Sequence, residues 1–222
     1  MTEPIKIDIW SDVACPWCYI GKRKLENGIE AYSSDGEALP VEIEYHSYEL
    51  SPETPVDFEG DEYDFLAAKG YPREQLEGML TRVTSIASDV GLDYDYDHLK
   101  HTNTVKAHQL IHYAKAHGRQ LDMKERLLKA YFVDGRHVGH VSDLGDLAAE
   151  IGLDRDDVIR ALEADEYLAD VRADQAEAQR LGIQGVPFFV LDGKYGVSGA
   201  QDAAVFADVL RQVQASRVEV GA

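Results

Sequence analysis

The chain has 222 residues, 45% of them hydrophobic, and its 41 acidic side chains against 22 basic ones give a formal net charge of −19. That apolar fraction suffices for a core and excludes a disordered chain, while the length admits one domain of about 200 residues or two smaller ones. The negative field, unopposed by any Lys/Arg cluster, excludes nucleic acid and anionic membranes as partners, and no run of about 18 apolar residues is present to span a bilayer.

The acids are scattered through DEYDF (61–65), DYDYDH (93–98) and DRDDV (154–158) rather than gathered in a tail. They read as a solvated face repeated around a folded body, and we expect a halophilic source, where salt screens the self-repulsion. MTEPIKIDIW at the start lacks a basic segment followed by an apolar stretch, so a cytoplasmic protein is expected.

In PIKIDIWS, Ile5, Ile7 and Ile9 alternate with other residues, which predicts a strand. PWCYIGKRKLENGIEAY follows with Trp17, Ile20, Leu25 and Ile29 at helical spacing and a proline fitted to a first helical position. LPVEIEYHSYEL alternates again through Val41, Ile43 and Tyr45, which completes a βαβ unit. From about Tyr63 to Gly182 the signals favour consecutive helices. Thr102 and Asn103 are candidate caps for TVKAHQLIHYAKAHG, Asp122 with Glu125 makes a candidate capping box, Asp154 precedes DDVIRALEA, and Gly182 ends the last helix. Asp192-Gly193 between two apolar runs predicts a hairpin. In the final helix, QDAAVFADVLRQVQ, the expected inner face is Ala204, Val205, Val209 and Val213.

Both cysteines lie in WSDVACPWCYIGKRKLE (10–26), separated by Pro16 and Trp17. The spacing allows a redox dithiol, half of a metal site, or two inert buried thiols. A zinc site needs four ligands, so one of the pairs His98/His101, His108/His112 or His137/His140 would have to fold onto the cysteines. As a dithiol, residues i and i+3 of a helix's first turn have Cβ atoms about 5–6 Å apart and can close to a disulfide. The amides at a helix start favour a thiolate at Cys15, which is then the nucleophile with a lowered pKa, and Cys18, one turn in, is the resolving thiol.

The element order, SDVACPWCYIGK (11–22), NTVKAHQLIHYA (103–114), YFVDGRHVGHVSDL (131–144) and GVPFFVLDGKYGVSGAQ (185–201) resemble the DsbA family of disulfide oxidoreductases, and within it the FrnE-like branch of dithiol-disulfide isomerases associated with polyketide biosynthesis. The resemblance implies an α/β thioredoxin-like fold with a large helical insertion, in which residues 1–62 and 166–222 form a discontinuous thioredoxin-like domain around the helices of 63–165. It implies catalysis by Cys15 and Cys18 on protein or small-molecule thiols and disulfides, without metal. The only redox group is the Cys15–Cys18 disulfide, a small thiol such as glutathione is a candidate co-reactant, and the chain is a monomer or homodimer. Pro187 matches the family's cis-proline, which sets the backbone of Val186 against the active pair to hold substrate, and Trp17 is placed to touch substrate. Asp8 corresponds to a buried acid that serves as a proton relay to Cys18. Kappa-class glutathione transferases and 2-hydroxychromene-2-carboxylate isomerases resemble the chain in outline but generally carry serine at the first active position. A third reading is a non-catalytic peptide-binding module using the groove beside Pro187.

Overall fold

The isoleucines of IKIDIWS alternate with Lys6 and Asp8, and the chain there forms β1 (Ile5–Ser11), with Ile5, Ile7 and Ile9 buried and Lys6 and Asp8 on the opposite face. The structure, a computed structural model, describes residues 3–34, 36 and 38–220. Helix α1 (Pro16–Ser33) begins with its proline in place, and β2 (Val41–Ser47) returns parallel to β1 with Ile5 opposite Val41.

The predicted helical block is observed as α2 (Glu62–Ala68), α3 (Arg73–Ser88), α4 (Val105–Ala116), α5 (Gln120–Phe132), α6 (Val141–Glu150), α7 (Arg155–Glu163) and α8 (Leu168–Arg180). Gly182, with φ of 73°, follows the end of α8 in the left-handed conformation that stops helices. Next come β3 (Phe188–Leu191) and β4 (Tyr195–Ser198), joined through Asp192 and Gly193, both at positive φ as a primed hairpin turn requires. Helix α9 (Ala203–Val220) closes the chain. The sheet order is β2-β1-β3-β4, with β3 antiparallel to both β1 and β4.

Helices α1 and α9 cover one face of the sheet, and between them Leu25, Phe189, Phe206 and Leu210 form a core with the isoleucines of β1. Gly28 permits the close approach of the two helices, since a Cβ there would lie 2.7 Å from Phe206 Cβ. The predicted inner face of α9 holds at its second half, where Val213 is buried and Val209 packs against the core, but Ala204 and Val205 are exposed and Phe206 and Leu210 are buried instead. At the start of the helix the larger side chains took the core, each worth roughly 1.5–3 kcal/mol on burial.

A second core fills the helical block, and Val13, Tyr19 and Ile20 reach it from the start of α1. The first turn of α1 therefore lies where the two cores meet. Helix α5 also covers the edge strand β2, because the Gln120 amide accepts from the Tyr45 N–H (3.1 Å) and donates to the Tyr45 carbonyl (2.9 Å). Asp154 caps α7 as predicted, accepting from the Asp157 amide. The other two capping expectations shift. Helix α4 starts after Thr104, where the Asn103 carboxamide accepts from the Val105 N–H and Thr102 turns to the Val56 carbonyl. Helix α5 starts at Gln120, so Asp122 is already inside its first turn and pairs with Arg119, while Glu125 reaches across to Tyr19, Lys22 and Arg23 of α1. Among the described residues no helix is long and apolar enough to cross a membrane.

Candidate active site

The segment between β1 and α1 is fixed by Asp12, whose buried carboxylate accepts from the Leu50 N–H (2.7 Å) and meets His108 Nε2 at 3.1 Å. Cys15 is the extended residue just before α1, Pro16 the first helical residue, and the Cys18 amide donates to the Cys15 carbonyl (3.0 Å). The Tyr94 hydroxyl anchors the turn by donating to the Pro16 carbonyl (2.7 Å). Both cysteines are free thiols and both are 2% exposed.

The Cys15 thiol donates to the Val186 carbonyl at 3.5 Å, the Val186–Pro187 bond is cis, and the Pro187 carbonyl accepts from the Gly199 amide. Gly21 of α1 faces Pro187 closely, a Cβ there lying 3.0 Å from Pro187 Cγ, tighter than ordinary packing. Cys15, Val186 and Pro187 are thus brought together across 171 residues of sequence separation. Trp17, 39% exposed, stands at the lip of an apolar cavity beside the pair.

The electrostatics invert one expectation. The hydrogen bond with Cys18, followed by burial, pushes the Cys15 thiol well up. Burial also pushes Cys18 up, but the hydrogen bond from Cys15, the Lys124 charge, the Ser11 hydroxyl and the Asp12 amide outweigh it and bring Cys18 down. The Cys18 backbone amide and the helix start oppose the rise at Cys15 without overcoming it, while the Cys15 sulfur itself faces the Val186 carbonyl. The two thiols titrate as a coupled pair, with Cys15 shifted up and Cys18 shifted down.

Asp8 is not at the dithiol. Ser11, two residues past Ile9, turns its hydroxyl to Cys18, so the alternation of the strand sends Asp8 to the other face. There it meets Lys6 (3.0 Å) and His46 Nε2 (2.8 Å), while Asp174 holds the other imidazole nitrogen at 2.9 Å and Trp10 stacks on the ring. Burial pulls the His46 pKa down, but its hydrogen bonds to Asp174 and Asp8 prevail and raise it to about 9. Because the folded value is raised, this stabilisation is complete below about pH 6.5 and is lost as pH rises through about 9. We expect Asp8→Asn to lower the His46 pKa in an NMR titration by about one unit and to leave thiol exchange within about twofold. A tenfold fall in exchange at unchanged stability would restore Asp8 as a relay.

The group that does face Cys18 is Lys124 of α5, 1% exposed, its ammonium 5.4 Å from the Tyr45 ring centre and without a carboxylate partner among the described residues. Burial holds its pKa below the usual lysine range, against the opposing charges of Cys18, Asp12 and Cys15. A sequence signal existed: Lys124 shares the buried stripe of α5 with Gln120, Leu127 and Leu128, an unusual place for a lysine. The histidines proposed as partners in a metal site are engaged elsewhere, His108 by Asp12, His112 by Asp174, His98 by Asp95 and His101 by Glu62. Among the described residues, the clusters able to hold a cation, His137/His140/Asp143 and Asp8/Glu44/His46, include no cysteine.

Residues 6–211 match the family described as the DSBA-like thioredoxin domain. The crystal structure of a probable DsbA oxidoreductase, SCO1869 from Streptomyces coelicolor, is 39% identical and superposes with a TM-score of 0.87 over 95% of this chain and 90% of that one. The protein YwbO of Bacillus subtilis, of uncharacterised function, is 27% identical over 95% of this chain and 98% of its own. A 2-hydroxychromene-2-carboxylate isomerase structure shares the fold at 14% identity and a TM-score of 0.73, over 97% of this chain and 98% of that one.

Proposed function

The chain belongs to the DSBA-like thioredoxin domain family, and from that premise we propose that it is a thiol-disulfide oxidoreductase or isomerase working through Cys15 and Cys18. The observation that carries this reading is the placement of two free thiols at the start of α1 with Cys15 against the Val186 carbonyl. A substrate chain or small disulfide lies along the Val186–Pro187 edge. The Cys15 sulfur attacks one sulfur of the substrate disulfide as its proton passes to the Cys18 thiolate. The second substrate sulfur leaves as a thiolate, and Cys15 is left in a mixed disulfide. Cys18 then passes that proton to the departed substrate thiolate, attacks the Cys15 sulfur and releases the remaining substrate thiolate, so two electrons pass from the dithiol to the substrate. The reverse sequence oxidises a dithiol. In a reducing compartment the pair would rest reduced and reduction or isomerisation would be favoured.

Isomerase chemistry of the hydroxychromene type has no need for a resolving Cys18, and a non-catalytic peptide module has no need for either thiol, so the presence of both favours the redox reading. The test is equilibration in graded dithiothreitol or glutathione buffers followed by acid quench and mass analysis. One two-electron couple assigned to Cys15 and Cys18 is expected, with a potential inside the superfamily's span of about 150 mV. Failure to form that disulfide at any poise would refute the assignment.

A further inference from the structure

The cavity beside Cys15 encloses about 220 Å³ between the start of α1 and helices α2 and α3. That is below the roughly 300–1,000 Å³ of sites for drug-sized ligands, but above the about 150 Å³ that suffices for a benzene ring. Its wall is built from Trp17, Phe65, Leu66, Met79, Leu80 and Val83. Three large apolar side chains that the protein leaves in water, Trp17, Leu50 and Met79, all line this one cavity, and exposed apolar groups gathered at a cleft mark a binding surface.

The polar part of the wall carries hydroxyls of Ser51, Thr102 and Thr104 and the carboxylates of Asp12 and Glu62, and among the described residues no lysine or arginine lines the cavity. The imidazoles that meet these carboxylates, His108 and His101, are engaged by them, so no spare cation is offered to a ligand.

We infer that the substrate is a small thiol or disulfide carrying, next to its reacting sulfur, an uncharged ring-sized apolar group, and that anionic thiols such as glutathione are disfavoured. The inference rests on the oxidoreductase reading and extends it to a substrate class. The ring enters the cavity, and its sulfur is left at Cys15. Glutathione carries two carboxylates, for which the cavity wall offers no lysine or arginine. In the step read below, reduced protein and one disulfide give the Cys15–Cys18 disulfide and two substrate thiols, so no other reductant is involved.

The experiment measures second-order rate constants for oxidation of the reduced protein, by quench and mass analysis, with three disulfides of primary alkyl thiols: bis[2-(4-hydroxyphenyl)ethyl] disulfide, bis(2-hydroxyethyl) disulfide and glutathione disulfide. Salt at about 1 M reduces the reach of the overall negative field to about 3 Å, so that the cavity rather than the net charge is compared. The ring-bearing disulfide is expected to react about tenfold or more faster than the hydroxyethyl one, and glutathione disulfide slower than both. Leu66→Trp, which fills the cavity, should bring the first ratio toward unity. Met79→Lys, a change at the exposed lip that spares the core, should raise the rate with glutathione disulfide relative to the hydroxyethyl compound. An absent ring preference, glutathione disulfide as fast as the hydroxyethyl compound, or a Met79→Lys variant without gain would each overturn the inference while leaving the oxidoreductase reading intact. Failure of all three disulfides would remove the reading itself.

Discussion

Cys18→Ser is expected to accumulate mixed disulfides between Cys15 and its substrate, whereas Cys15→Ser forms none and loses turnover by at least about a thousandfold. The asymmetry follows from position. Cys15 touches the Val186 edge where a substrate must lie, while Cys18 sits one turn into the helix against Ser11 and the charge of Lys124. Attack therefore begins at Cys15 even though its thiol is the one shifted up, and Cys18, shifted down, is the group placed to take the Cys15 proton. In Cys18→Ser that base is lost as well as the resolving thiol. Its mixed disulfide should thus form more slowly than in the wild type, with a pH dependence moved toward alkaline values, and then persist. The measurement is peptide mapping of trapped adducts across a pH series for both variants. Adducts on Cys18 in the Cys15→Ser protein, formed as fast as those on Cys15, would show that the roles are reversed.

The second large effect is expected at Lys124. Its ammonium is buried without a carboxylate and is the cation that holds negative charge on Cys18. Lys124→Met should raise the first apparent thiol pKa of the pair by about one unit or more, and slow alkylation of the dithiol at pH 7 by about three- to tenfold, the gain in nucleophilicity offsetting part of the lost thiolate. Stability should move the other way. A lysine whose folded pKa lies below its unfolded value near 10.5 costs stability while it is protonated. Between the folded value and about 10.5 the unfolded chain binds the extra proton, so wild-type stability rises with pH through that window. Lys124→Met removes that rise and is expected to be at least as stable as the wild type at pH 7, since methionine fills similar volume without a buried charge. Urea melts at several pH values, run beside the alkylation series, separate the two effects. A variant with an unchanged thiol pKa, or one destabilised by several kcal/mol, would show that Lys124 serves packing rather than the dithiol.

The elements of the fold were legible because their causes are local. The alternation Ile5, Ile7, Ile9 marked β1, the proline after Cys15 marked the start of α1, and Asp192-Gly193 marked the β3–β4 turn. Each pattern is decided within a few residues, by side-chain period or by a backbone conformation that few residues tolerate. Capping at α5 was misread because Asp122 and Glu125 have the right spacing, yet their side chains found better partners in Arg119 and in Lys22 and Arg23 of α1. On α9 Val209 and Val213 face the core as read, but Ala204 and Val205 do not, because Phe206 fills the space beside Gly28 and Phe189.

The dithiol and its place at a helix start were determined by the sequence alone, since spacing and order along the chain carry that information, while the GVP segment opposite it was read only from the family resemblance. Everything that sets the chemistry of the pair depended on contacts between distant segments. The Val186 carbonyl meets Cys15, Lys124 comes from α5 to face Cys18, and Asp8 is drawn to His46 instead of the thiols. A charge acts over a few ångströms whatever its distance along the chain, so the opposite shifts of the two thiols were decided only when the helices packed onto the sheet.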